Sequence, residues 1–142
     1  AVVSLSAFAH PYEVMRRYLV EFHIPYPVIG WYVLQHVQRV IGARFDDIAP
    51  INTIAHARCP VLLVHGVDDA VVPFSDAQRL QKAGRAGTVE CVAIRGGHDP
   101  SDSAADYQVQ LIDFLQRCFR AQENSDAVTS NPILHQPTES NP

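Results

Sequence analysis

The run Val61-Leu62-Leu63-Val64, halted by Gly66 and followed at once by Asp68 and Asp69, constrains this chain more than any other feature. Unbroken apolar residues without alternation read as a strand covered on both faces, as in the interior of a parallel sheet. An open parallel sheet binds its ligands beyond the carboxyl ends of its strands, and a carboxylate just past Gly66 stands there. The arrangement recurs. Val89–Ile94 reads as a second strand, and it runs into Arg95-Gly96-Gly97-His98-Asp99-Pro100. An acid and a histidine therefore follow the ends of successive strands, in that order.

The remaining pattern alternates helix and strand. Ala1–Leu5 reads as a strand, and Pro11 permits a helix over about 12–22. Pro25-Tyr26-Pro27 breaks the chain. A helix over 28–41 follows, apolar on more than one side and so expected to be buried or to cover a pocket, with Gly42 to close it. Residues 45–50 read as a loop and 51–57 as a short helical turn. Ser75 is an expected N-cap for a helix over 76–84. Pro100-Ser101-Asp102 opens a last helix with Tyr107, Leu111, Phe114, Leu115 and Phe119 on one face. This order predicts an α/β fold: a parallel sheet flanked by helices, with right-handed crossovers and a helical segment between the first and second strands. Residues 121–142 hold three prolines, no Lys or Arg and no Phe, Trp or Tyr, and are expected to form a disordered tail beyond a domain over 1–120.

Composition excludes several functions. The net charge is −4, the 11 Lys and Arg are scattered, and no basic face for nucleic acid is expected. No apolar run approaches the ~20 residues that span a bilayer. The three cysteines show no Cys-x-x-Cys spacing and read as reduced, packed thiols, which suits a cytoplasmic protein. His23, His36 and His56 have no metal-ligand spacing, and no glycine loop cradles a phosphate; neither metal nor cofactor is expected.

Gly66-x-x-Asp69-x-x-Val72-Pro73 resembles the acid motif of the α/β-hydrolases, and Gly97-His98 resembles their histidine motif. That family orders its triad Ser, then Asp or Glu, then His. The resemblance covers about residues 1–120 and implies a partial catalytic domain, the C-terminal part of the fold. It implies His98 as general base and Asp69 as the carboxylate that orients it. Asp68 competes for the acid role; the motif spacing favours Asp69. Asp99 reads as a loop carboxylate and His65 as a packed, hydrogen-bonded histidine. His10 follows the first strand and is a candidate for the substrate pocket, as is Trp31 in the aromatic stretch from Pro25 to Tyr32, with core packing the competing role. No Gly-x-Ser-x-Gly elbow occurs. The nucleophile is therefore expected from a missing N-terminal half of the same domain, whose strand would pair with Ala1–Leu5. The implied activity is that of a serine hydrolase, esterase- or thioesterase-like, acting on a small-molecule ester or acyl substrate. Alternatives are another enzyme of the fold (a peptidase, dehalogenase or lyase), a non-catalytic binding member, or an unrelated flavodoxin-like domain.

Overall fold

The computed structural model describes residues 1–99 and 104–129. A three-stranded parallel sheet in the order β1-β2-β3 carries the chain, with β1 at Val2–Leu5, β2 at Val61–Gly66 and β3 at Val89–Ile94. Val2 lies beside Val61 and Val61 beside Val89, so the strands start level and their carboxyl ends share one edge.

β2 is the centre, and all of it is buried. Its period of two sends side chains to opposite faces. Val61 and Leu63 join Ala9, Leu80 and Val89 on one face, under Ile51 and Ile54. Leu62 and Val64 join Ile94 and Phe114 on the other. The first face is covered by α5 (Phe74–Ala83) and by the short helix α4 (Pro50–Thr53) with the turn Ile54–His56 after it. The second is covered by α6 (Ala104–Thr129). Both crossovers pack on the same face, which same-handed connections require when the sheet grows in one direction.

Between β1 and β2 the chain forms a helical lobe. α1 (Pro11–Glu21), a π-helical turn (Tyr26–Gly30), α2 (Trp31–Ile41) and α3 (Phe45–Ile48) close on Leu19, Leu34 and Phe45. Gly42 ends α2 in the left-handed region, at φ 71°, as a glycine past a helix end can do without strain.

Several elements differ from the sequence expectations. Residues 45–50 are not a loop: Phe45 is buried and anchors α3. α5 begins at Phe74 behind Pro73, one turn position before Ser75 could cap it. The helix expected over 28–41 splits at Gly30; it is not buried, Trp31 and Tyr32 being 56% and 62% exposed, but it walls a cleft, the other arrangement expected of it. On α6, Cys118 packs inward while Phe119 faces solvent. The same helix runs on to Thr129, past the Arg120 boundary drawn from composition. The rest of the expected tail, 130–142, lies outside the described residues, as does the Pro100-Ser101-Asp102 turn. The three cysteines are free thiols, each half-buried.

Candidate active site

Three strand ends meet at one edge. Past β2, Val67 N–H donates to the Ile94 carbonyl at 2.9 Å and Asp68 N–H to the Gly96 carbonyl at 3.1 Å. These bonds carry the β2–β3 pairing beyond the strands and bring the two loops together. Gly66 makes the approach possible. A Cβ there would collide with the carbonyl oxygens of Gly96 and Gly97, so any other residue would prise the loops apart.

The result is a direct contact: His98 Nδ1 lies 2.9 Å from Asp69 Oδ2. The other Asp69 oxygen, Oδ1, accepts from the Val71 and Val72 amides, each at 2.8 Å, which closes the turn on its own carboxylate. Burial pushes the Asp69 carboxyl up, but the Val72 amide, His98 and the Val71 amide outweigh it and hold the group below the usual carboxylate value. An ionised Asp69 fixes the proton of His98 on Nδ1 and leaves Nε2 as the proton acceptor. Asp68, one residue earlier, is exposed, and Asp69 holds the position the motif spacing favoured.

The chain is similar to lysophosphatidylserine lipase ABHD12. It is 34% identical to the Danio rerio protein over 75 residues, 53% of this chain and 17% of that one. It is 30% identical to the Rattus norvegicus protein over 109 residues, 77% of this chain and 21% of that one. The Xenopus tropicalis protein is 27% identical over 109 residues, 77% of this chain and 22% of that one. The chain thus spans about a fifth of the length of the curated relatives it matches. No protein-family model matches it. The likeness to these lipases is consistent with the α/β-hydrolase superfamily and, at that coarse level, supports a hydrolase.

Beside the contact between Asp69 and His98 stand two residues whose contacts the sequence did not disclose. His65 is wholly buried, and its Nε2 lies 2.8 Å from the Val72 carbonyl and 3.3 Å from Asp69 Oδ2. A carbonyl only accepts, so the His65 proton is on Nε2; its buried Nδ1 has no partner among the described residues. His65 thus grips both ends of the acid turn. Ser6, past β1 at φ 50°, donates Oγ–H to the His98 carbonyl at 2.8 Å and its amide to Val64. A small polar residue after a strand was the only sequence signal for it.

His10 and Trp31 are placed elsewhere. Both line an open cleft of about 950 Å³ walled by α1, the π turn, α2 and α3, and neither Asp69 nor His98 is among its lining residues. His10 caps α1, its Nδ1 accepting from Tyr12 N–H at 3.2 Å, while its Nε2 meets Asp46 at 3.1 Å. Tyr12 and Tyr26 share a short hydroxyl contact on the same wall. Among the described residues no cluster of three or more His, Cys, Asp or Glu could hold a metal, and no helix is long and apolar enough to cross a membrane.

Proposed function

We propose that this chain supplies the acid and base of a serine hydrolase that cleaves acyl esters. The observation that carries the reading is the 2.9 Å contact between His98 and Asp69 at the shared carboxyl edge of the sheet. In this mechanism His98 Nε2 takes the proton of a serine hydroxyl as that oxygen attacks the ester carbonyl. Asp69 stabilises the imidazolium that forms. The imidazolium returns the proton to the departing alcohol, and an acyl-serine remains. His98 then activates a water, which releases the acid and restores the serine. No cofactor enters these steps.

The serine would come from polypeptide outside these 142 residues, since none here sits in a Gly-x-Ser-x-Gly elbow. The relatives are named for acting on lysophosphatidylserine, which favours a lipid ester as substrate here. His10, on the cleft of the helical lobe, is assigned to substrate contact; Trp31, on the same wall, is more than half exposed to solvent. Fluorophosphonate labelling and ester turnover of the longer polypeptide test the reading. His98→Ala should cut turnover by roughly 10³-fold or more, and the 142-residue chain alone should show none above background. Full turnover by the His98→Ala variant would overturn the assignment.

A further inference from the structure

α1 ends at Glu21 and α2 begins at Trp31, so the last turn of one helix, the first turn of the next and the π turn between them form one tip of the lobe. Its inner side is closed by Leu19, Gly30 and Leu34. Its outer side is bare and apolar. Val20, Phe22, Val28, Ile29, Trp31 and Tyr32 are each at least half exposed, Val28 reaching 73%. Apolar groups gathered this way on a surface mark a place of interaction.

The charges around the tip indicate what covers it. From Phe22 to Gln38 the chain carries no Asp, Glu, Lys or Arg. The nearest ionised side chains along the two helices are Arg16, Arg17, Glu21 and Arg39, an excess of cations in a chain whose net charge is −4. Arg16 lies over the Tyr26 ring, 5.1 Å from its centre. Arg17 reaches the Val71 carbonyl through one nitrogen at 3.4 Å. Trp and Tyr rings, half apolar and half polar, suit the boundary between water and acyl chains. An apolar tip flanked by three arginines and a single carboxylate, Glu21, complements an anionic lipid surface.

We propose that this tip docks on the face of an anionic lipid bilayer. Phe22, Val28, Ile29 and Trp31 enter the boundary between headgroups and acyl chains, and Arg16 and Arg17 lie at the phosphates. Docking is separate from hydrolysis and is read without turnover, so failure of either proposal leaves the other standing.

Trp31 is the chain's one tryptophan and is therefore its own probe. The 142-residue chain is titrated with phosphatidylcholine vesicles, with and without phosphatidylserine. The expected result is a blue shift of Trp31 emission, quenching by lipids brominated on their acyl chains, and tighter binding when phosphatidylserine is present. Arg16→Gln with Arg17→Gln should weaken that binding by roughly thirtyfold, from about 1 kcal/mol per cation at such a surface. Phe22→Ser with Val28→Ser, both at exposed positions, should abolish the shift while the far-ultraviolet circular dichroism stays unchanged. A second probe, Phe119→Trp in a Trp31→Phe background, reports from α6 and should not respond. An unchanged Trp31 spectrum overturns the proposal. So does a shift that depends on protein concentration without vesicles, which would make a second copy the occupant. An equal response from the α6 probe overturns it too, because it would mean adsorption of the whole surface.

Discussion

Asp69 answers to two histidines through one oxygen and to two amides through the other, so removing its charge has a specific signature. In Asp69→Asn the amide NH₂ would face His98 as a donor, and the imidazole would have to move its proton from Nδ1 to Nε2. Nitrogen-15 shifts of the His98 ring should show that tautomer switch in a still-folded chain; an unchanged tautomer would refute the geometry. Acid stability follows from the same carboxylate. Its value in the folded state is held below that of an unfolded Asp. Its contribution is therefore complete above the unfolded value of about 3.9 and is lost as pH falls through the folded one. Urea midpoints of the natural chain should drop below pH ~4 more steeply than those of Asp69→Asn. Gly66→Ala should cost on the order of 1–3 kcal/mol, the range of overpacking, because backbone carbonyls cannot swing aside as a side chain can; equilibrium unfolding measures it. The contact of Asp69 with His98 was legible in the sequence, since both follow strand ends at family-like spacing. So was a packed, hydrogen-bonded His65; that it holds the acid turn, and that Ser6 holds the histidine loop, was not. Ser6 meets a carbonyl 92 residues away, and only the register of three strands puts it there.

At the scale of elements, α5 is moored by one acid. Asp76, 1% exposed, accepts the Ala9 amide at 3.0 Å and pairs with Arg79 at 3.3 Å. Arg79 in turn holds Glu13 of α1 by two nitrogens. The outer pair is partly exposed and worth less than about 1 kcal/mol. The inner bond matters more. Asp76→Ala strands a buried amide and should cost about 1–3 kcal/mol, with faster hydrogen exchange at Ala9 as the check. Strands β2 and β3 could be read directly: Val61–Val64 is an unbroken apolar run between Pro60 and Gly66, and Val89–Ile94, apolar but for Glu90, stops just before Gly96. The helical turn expected over 51–57 stands within Pro50–His56; α3 could not be read, because four residues are too few for a period to show and burial of Phe45 rather than propensity makes them helical. Of the two arrangements expected for α2, burial fails at its exposed start and the cleft wall stands. Apolar residues on several sides signal burial only where something covers them.

For the molecule as a whole, β1 sets the limit. Among the described residues it stands at the edge of the sheet, with Val2, Val3 and Leu5 substantially exposed. Unpaired edges with apolar side chains recruit further strands. The 142-residue chain should therefore self-associate, and Val3→Lys, which sets a charge on that edge, should shift sedimentation toward the monomer. A wild-type chain that sediments as a monomer at high concentration would contradict this. The same edge has a history inside the cell. Ser6 and the His98 carbonyl it holds are 92 positions apart, and at about 5–20 residues per second they leave the ribosome roughly 5–18 s apart. For that interval the hydroxyl that will hold the histidine loop has nothing to hold. β1 can pair with β2 earlier, but this edge of the sheet is completed only after β3 emerges. A nascent chain halted between the two strands would display a finished acid turn and no base.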